Sequence, residues 1–533
     1  MRPLLTLSLL LSTTLIHAQQ CDWLTNAAVE YELNPSLPNE VLAGAPGRLV
    51  LARQLSGDFV YGQTVYGRAI VEAMDPGDGL PIWSCALFDS VNVESAVVSA
   101  EGKAYFAGRF MGTLGFCDGS ILGGVPGQVL WHENLFLMAV DLNTGLLEWT
   151  RNLSLTHDQA LSVSSLALDP QGRLWYSVAE WGIGKAVRVD ANGMDQETRV
   201  IDGVRLLGTL SFDPWGGLYM SGACDNSGFA FGGEAFTDPG TSGYSMFVLR
   251  YRPDGTAGFV EFADDITFQD PTVAATSDGH AYLAGNIFDT SQWGDITFSG
   301  PNWVSDVFLT KLDSTGEFLW GVESAPVGSA FIGDLSRANG PCIAVDADDH
   351  VYLMGNLRGQ VDWGNGVVSN GLTIGAQTIS VVAFAPDGTP QWAATSMPGG
   401  MFDQAQTLTA NAEEGTLHFA GHITAQFTWL PHTTNSGGTQ AALFGKLSGL
   451  STGGRERSTE LDLVAWPVPA AGVVYVDLPG TKRTSASLVN SVGQLVLTIT
   501  LVPGRNTIYM TDLRSGLYVL RTAEGSAVRV VKE

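Results

Sequence analysis

The sequence predicts an all-β chain: a seven-bladed β-propeller closed by an N-terminal strand, followed by a small C-terminal β-sandwich. Three observations carry this. An aromatic strand signature recurs seven times between residues 47 and 421. A second signature, a turn glycine followed four residues later by tryptophan, recurs between those copies one time too few, and a stray tryptophan stands near the start of the chain. Glycine makes up 64 of 533 residues and charged residues only 15%, against about 7% and about 25% in average proteins. That is a composition of turns and buried strands, not of a disordered chain.

The first signature is a turn Gly or Asp, two residues, then an aromatic strand ending in Gly. It reads Gly102-Lys-Ala-Tyr105-Phe-Ala-Gly108, Gly172-Arg-Leu-Trp175, Gly216-Gly-Leu-Tyr219-Met-Ser-Gly222, Gly279-His-Ala-Tyr282-Leu-Ala-Gly285, Asp349-His-Val-Tyr352-Leu-Met-Gly355 and Gly415-Thr-Leu-His418-Phe-Ala-Gly421, with a degenerate first copy at Gly47-Arg-Leu-Val50. The copies are 44 to 70 residues apart, the spacing of repeat architectures. The second signature is complete at Gly79…Trp83, Gly145…Trp149, Gly316…Trp320 and Gly388…Trp392, conservative at Gly255…Phe259 and degenerate at Gly193…Glu197. The last repeat, 418–447, has no such strand. Trp23, however, precedes Gly47 by 24 residues, and the matching gaps from Trp149 to Gly172 and from Trp392 to Gly415 are both 23. The segment 22–29 is therefore expected to complete the last repeat. Such a ring of four-stranded sheets leaves few exposed edges.

The recurring aromatics are expected as large apolar plugs of the blade cores. Between them, an aromatic-Gly pair opens a loop at Tyr61-Gly62, Phe231-Gly232, Trp293-Gly294 and Trp363-Gly364. The whole unit, clearest over 278–320, resembles the seven-bladed propeller repeats of bacterial exported proteins. That family has no single activity, so the resemblance implies a fold and not a chemistry. The copy Ala139-Val-Asp141-Leu-Asn-Thr144-Gly145-x3-Trp149 also resembles the tryptophan docking motif of pyrroloquinoline-quinone propellers. No Cys-Cys pair accompanies it, and it reads as convergent blade-closing geometry.

The two ends differ from the middle. Arg2, the apolar stretch 4–16 and His17-Ala18 before Gln19 form the pattern of a cleaved export signal, 1–18. Gln19-Gln20 stand before Cys21, where a lipidation site needs small residues. No other stretch approaches the ~18 apolar residues of a spanning helix, so no integral membrane segment is expected. The propeller is expected over 19–448, a polar glycine-rich linker over 449–460, and a second domain over 461–533. In that domain, alternating segments at 473–478, 485–489, 494–501, 506–510, 516–522 and 527–531 predict an antiparallel sandwich. Its motifs are Trp466-Pro467-Val468-Pro469-Ala470, Asn490-Ser491-Val492-Gly493-Gln494, Leu513-Arg514-Ser515-Gly516-Leu517-Tyr518 and Arg529-Val530-Val531-Lys532. In this order they resemble the type A C-terminal sorting domain of the type IX secretion system, with Val468 in place of that family's usual Asn. The resemblance implies export across the outer membrane of a Bacteroidota-type cell. It also implies handling by the type IX machinery, and then surface attachment or release.

Acidic residues outnumber basic ones 54 to 27, a net charge of −27, which excludes nucleic acid and anionic membrane surfaces as partners. Export permits disulfides, but the five cysteines are widely spaced and odd in number; they are expected as small buried hydrophobes. Candidate binding residues are the off-pattern Trp131 with His132, Trp181, Trp215 and Trp303, Trp131 lying in a long insertion of the kind that carries function on rigid scaffolds. Asp346 and Asp348, like Asp75 and Asp78, are candidate calcium ligands. Neither set forms a full calcium loop, and aspartate before glycine also simply makes turns. His418 and His422 share a strand face, two ligands where zinc needs three or four. No catalytic triad, phosphate loop or nucleophile elbow occurs, so neither a cofactor nor catalytic residues are expected. The function expected is an exported binding protein for a glycan or protein. The alternative is a secreted polysaccharide hydrolase or lyase with carboxylates from several blades converging on the central channel.

Overall fold

Short β-branched and aromatic runs bounded by glycine turns form antiparallel strands throughout. The one helical element among the described residues is the 3-10 turn Leu153–Leu155. The computed structural model describes residues 19–28, 40–45, 47–60, 63–126, 133–157, 160–225, 228–241, 243–265, 271–287, 290–299, 306–326, 334–338, 340–371, 378–397, 399–400, 403–411, 414–437, 440–450, 464–466, 469–470, 472–478, 483–490, 495–511, 513–522 and 527–532. The export signal 1–18, the linker residues 451–460, and Trp131, His132, Trp303, Pro467 and Gly493 lie outside the described residues. The chain divides into two compact units, Met1–Leu450 and Ser451–Glu533.

In the first unit each sequence repeat contributes a meander of antiparallel strands. Thr272–Ala275, Ala281–Ile287, Asp306–Leu312 and Phe318–Glu323 form one four-stranded sheet in that order. Two strands are long enough to serve two repeats. Pro81–Val98 pairs with Ala69–Met74 along its first half and with Lys103–Gly115 along its second. Asp195–Phe212 pairs with Gly182–Val189 and then with Leu218–Asp225. The first strands of successive repeats touch one another: Val41–Ala45 against Pro81–Val98, then Ala160–Leu168, Asp195–Phe212, Thr272–Ala275, Ile343–Val345 and Gln404–Asn411. Gln404–Asn411 in turn touches Val41–Ala45. Small hydroxyls tie these strands together. Ser95 Oγ accepts from the Leu166 N–H at 2.9 Å, and Thr209 Oγ1 donates to the Val273 carbonyl at 2.9 Å.

The two chain ends of this unit meet in one sheet. Gln20–Ala28 pairs antiparallel with Ala441–Ser448, which pairs with Thr416–Ile423. Ser448 Oγ donates to Asp22 at 2.6 Å, and Thr434 Oγ1 donates to Asn26 at 2.6 Å. Trp23 is buried with Leu42, Leu49, Leu51 and Met74 of the first repeat and Ala420, Ala442 and Phe444 of the last.

The tryptophans of the second signature pack on their own sheets, as the sequence reading expects, with Trp149 beside Tyr105, Trp320 beside Tyr282 and Trp392 beside Tyr352, but their indoles do more than plug a core. They reach across to the turn of the next repeat. Trp23 Nε1 donates to the Pro76 carbonyl at 3.1 Å, Trp83 Nε1 to Leu142 at 2.7 Å, Trp320 Nε1 to Pro386 at 3.0 Å and Trp392 Nε1 to Leu450 at 3.1 Å. The turn glycine is what lets the indole lie flat. A Cβ on Gly145, whose φ is 71°, would sit 2.6 Å from the Trp83 ring. Where the signature degenerates to Glu197, Arg199 takes the place of the ring. It approaches the Gly255 turn, and its guanidinium lies over Trp175 at 4.9 Å and Tyr251 at 5.5 Å, a cation–π substitute for stacking. The aromatics of the first signature, among them Tyr105, Trp175, Tyr219, Tyr282 and Tyr352, are buried.

The cysteine expectation is corrected in part. Cys85 and Cys117 form a disulfide, joining the shared strand Pro81–Val98 to the turn after Lys103–Gly115. Their Cα atoms are 5.2 Å apart because the two strands are paired neighbours, a proximity that a sequence separation of 32 conceals. Cys21, Cys224 and Cys342 are free and buried. Burial pushes the Cys21 thiol up to about 12 and raises Cys224 as well, so neither offers a thiolate near neutral pH. A thiol reagent at pH 8 is therefore expected to find no reactive cysteine in the native chain. It should find three after denaturation, the three free thiols, and all five after denaturation with a reductant. One fast-reacting thiol in the native state would contradict this burial.

The second unit has a three-stranded sheet, Val464–Trp466, Val473–Leu478 and Gly504–Tyr509, and a four-stranded one, Leu495–Leu501, Thr484–Asn490, Gly516–Thr522 and Ala527–Lys532. Val474, Val476 and Ile508 from the first share a core with Leu488, Leu501, Tyr518 and Leu520 from the second. The Tyr518 hydroxyl donates to the Arg514 carbonyl at 2.7 Å, which ties down the turn that holds Gly516. Gly516 and Pro469 are exposed.

Candidate functional site

The touching first strands surround a partly open cavity of about 330 Å³ lined from every repeat: Glu40, Glu94, Ser164, Gly208, Thr272, Pro341 and Thr407 are among its walls. The side chains reach it because these strands bulge. The register skips between Val93 and Ser95, between Val163 and Ser165, between Leu207 and Leu210, and between Ala405 and Thr407. The skipped residues Glu94, Ser164, Gly208, Thr209 and Gln406 all line the cavity. A bulge leaves an unpaired residue and re-aims its side chain. It also pushes a carbonyl toward the neighbouring strand, which explains the glycine that ends the first signature. A Cβ on Gly108 would lie 2.0 Å from the Asn92 carbonyl oxygen, and one on Gly421 2.5 Å from that of Gln404.

Two carboxylates face this cavity. Glu40 is 3% exposed, and neither of its carboxyl oxygens has a hydrogen-bond partner among the described residues. Burial raises it well above the usual carboxylate range, opposed only by its own backbone N–H and by the charge of Arg53. Arg53 is already paired with Glu72 at 2.9 Å. Glu94 is also raised by burial, but Arg109 pulls the other way. Arg109 Nε donates to Glu94 at 2.5 Å and its Nη1 to Glu133 at 2.8 Å. Ser95, Ser162, Thr209, Thr272 and Gln406 add neutral donors and acceptors to the wall. Among the described residues the cavity is thus a small polar space with one satisfied ion pair and one unsatisfied acid. Such an acid is costly in the empty site, and a cationic or hydrogen-bond-donating guest relieves that cost.

None of the three cavity charges was among the sequence candidates. For the two carboxylates a signal exists: in each copy a wall residue falls seven or eight positions before the turn residue of the first signature, as Glu40 before Gly47, Glu94 before Gly102 and Ser164 before Gly172.

The candidates that were named are dispersed. Trp181 is 76% exposed at a tight turn, with the Arg205 guanidinium 5.3 Å from its ring centroid. Trp215 is also exposed, but its ring packs on the Gly279 turn of the next repeat. Asp346 Oδ1 accepts the backbone N–H groups of Asp348 and His350, each at 2.9 Å, and its Oδ2 accepts the Tyr352 hydroxyl at 2.8 Å. Asp213 organises its turn in the same way. Asp78 Oδ1 accepts from the Leu80 N–H. His418 is a core histidine. It lies 5.9 Å from the Trp23 ring, its Nε2 faces the Pro76 carbonyl, and burial lowers it to about 4. His422 Nδ1 meets Gln406 Nε2 at 3.3 Å, behind the cavity wall. A buried network of Arg151, His157, Tyr176 and Asp195 links two repeats. Burial works against the Asp195 charge, yet hydrogen bonds from Arg151, His157 and Tyr176 hold its carboxyl well below the usual range. Among the described residues no group of three or more His, Cys, Asp or Glu side chains is arranged to hold a metal ion, and no helix is long and apolar enough to cross a membrane.

The second unit defines a class. Residues 464–533 match the family described as a secretion system C-terminal sorting domain. This chain therefore carries a type IX sorting domain, which supports its being a secreted protein. Among curated proteins no sequence matches it. Solved structures similar to it include a protein of unknown function from Bacteroides caccae, 12% identical, covering 56% of this chain and 93% of that one with a TM-score of 0.28. PorZ, a surface component of the type IX secretion system of Porphyromonas gingivalis, is 10% identical over 92% of this chain and 81% of that one, with a TM-score of 0.21. The quinohemoprotein alcohol dehydrogenase of Comamonas testosteroni is 10% identical over 86% and 79%, with a TM-score of 0.37.

Proposed function

We propose that this chain is an exported, non-catalytic binding protein of a Bacteroidota-type cell. In this reading a seven-bladed β-propeller is closed by the N-terminal strand and delivered by a C-terminal β-sandwich. A cleaved signal, 1–18, starts the route, and the sorting domain directs it to the surface or the medium. Support for seven blades comes from the cycle of touching first strands and from the seven recurring turns. Support for the strand closure comes from the pairing of Gln20–Ala28 with Ala441–Ser448. The observation that carries the binding role is Glu40, a buried acid without a hydrogen-bond partner among the described residues, in a cavity to which every repeat contributes. The ligand fits as a small polar molecule presenting a cationic group to Glu40 and hydroxyls to the serines and threonines.

Two raised carboxylates in one cavity also suit a secreted hydrolase or lyase, since acid–base pairs are built by pushing pKa values apart. Against this, Glu94 is held by Arg109 and is not free to exchange a proton with a substrate. The experiment has two arms. In a cell with type IX secretion, the full chain is expected at the surface or in the medium and a chain lacking 464–533 in the periplasm. Purified full chain incubated with a polysaccharide panel is expected to show no turnover. Turnover that disappears in Glu40→Gln would replace the binding reading with the enzymatic one, and export of the truncated chain would overturn the delivery reading.

A further inference from the structure

Six of the repeats carry a two-stranded hairpin between their second and third strands or an extension of those strands; examples are Thr290–Trp293 with Ile296–Ser299 and Gln426–Trp429 with His432–Asn435. The repeat of Leu174–Glu180 lacks one. That strand turns directly into Gly182–Val189, with Glu180 opposite Ile183, and Trp181 and Gly182 make the turn. An open cavity of about 430 Å³ begins there, between this turn and the hairpin Phe229–Phe231 with Glu234–Phe236 of the next repeat. Gly182, Asp202, Arg205, Phe229, Ala235 and Phe236 line it.

Trp181 stands next to Gly182 at the edge of this cavity. A two-residue turn needs glycine for its positive φ, here 78° at Gly182, but places no demand for tryptophan at the other position. No core uses the ring, which is 76% exposed. One face is backed by Arg205, which is itself fixed by a hydrogen bond from its Nε to Asp225 at 2.6 Å. The arrangement is an exposed indole with one face against Arg205, a cleft beside it lined by Phe229 and Phe236, and the polar groups of Arg205 and Asp202 at hand. Pockets that bind small molecules combine apolar walls with a few fixed polar groups in this way, and an amphipathic aromatic is a low-entropy platform.

We propose that this surface binds a neutral saccharide chain, one pyranose ring stacking its C–H face on the side of Trp181 opposite Arg205 while an adjoining sugar enters the cleft, where Asp202 and Arg205 bond its hydroxyls. The charges select a neutral sugar. Arg205 is already neutralised by Asp225, Asp202 is exposed at the cleft, and the chain carries a net −27, so a uronate or sulfated polymer would be repelled. The site is separate from the axial cavity and does not depend on it.

The test is affinity electrophoresis of the full mature chain in native gels containing dextran, yeast mannan or xyloglucan, with alginate and polygalacturonate as anionic counterparts. Retardation by at least one neutral polymer is expected. It should weaken at least tenfold in Trp181→Ala, a substitution at an exposed position that leaves the melting temperature unchanged, and persist in Trp181→Phe and in Glu40→Gln. No retardation by any neutral polymer, equal retardation of Trp181→Ala, or retardation by the anionic polymers alone would each overturn the proposal.

Discussion

Trp23→Ala is expected to destabilise the Met1–Leu450 unit by about 3–5 kcal/mol, the cost of deleting a large buried aromatic. Trp23 is 7% exposed, packs on residues from both the first and the last repeat, and donates to Pro76. The loss should exceed that of Trp83→Ala, because Trp83 is only half-buried and joins repeats that a shared strand already connects. Among the described residues no disulfide bridges this seam; the last repeat is held to the first by the pairing of the strand Gln20–Ala28, which continues in sequence into the first repeat, by its side chains and by the facing first strands. Urea unfolding followed by hydrogen exchange measures both parts of the expectation. In Trp23→Ala, protection should fall together in Arg48–Gln54 and Thr416–Ile423 while Tyr282 and its neighbours keep theirs. A loss below about 1 kcal/mol, or exchange confined to the N-terminal strand, would mean that the strand decorates the last sheet without holding the seam.

The seam was legible because repetition made its absence countable: six copies of the second signature, four of them with tryptophan, against seven of the first left Trp23 to supply the missing copy. The strand signatures were legible for the same reason, and the glycine that ends the first of them has its cause in a carbonyl pushed out by the neighbouring bulge. What repetition hides is anything held by a single residue. Arg199 does the work of a docking tryptophan with different chemistry, so only the missing tryptophan shows in the chain. Cys85 and Cys117 are brought together by strand pairing across a separation that looks like any other. Glu40 precedes a degenerate first copy, where there is little pattern to count back from. The binding candidates chosen as off-pattern aromatics divide on the same principle. Trp215 turned out to serve the neighbouring turn, whereas Trp181 serves no packing purpose, and burial was the information needed to separate them.

Glu40→Gln is expected to raise stability at pH 8 relative to wild type, by about 1.4 kcal/mol for each unit by which burial lifts the acid above its unfolded value. The direction follows from linkage. Burial raises the folded-state pKa of Glu40 above its unfolded value, so the native state holds the proton more tightly than the unfolded state does. The penalty is therefore full above the folded pKa and is relieved as pH falls through it toward the ordinary carboxylate range. Wild type should gain on the variant with acidification, and the two curves should converge near pH 4. The other charges facing the cavity, Glu94 and Arg109, are present in both proteins and cancel in the difference. Glu94→Gln provides the contrast, since it leaves Arg109 with Glu133 alone and should destabilise instead of stabilise. Thermal denaturation of the three proteins from pH 4 to 8 reads these signs directly. If Glu40→Gln is less stable than wild type at pH 8, the acid already has a partner in solution. If it is more stable, the free acid is a cost that folding tolerates, and a cationic guest that binds should release a proton wherever Glu40 is still protonated, seen as a binding enthalpy that changes with the ionisation heat of the buffer.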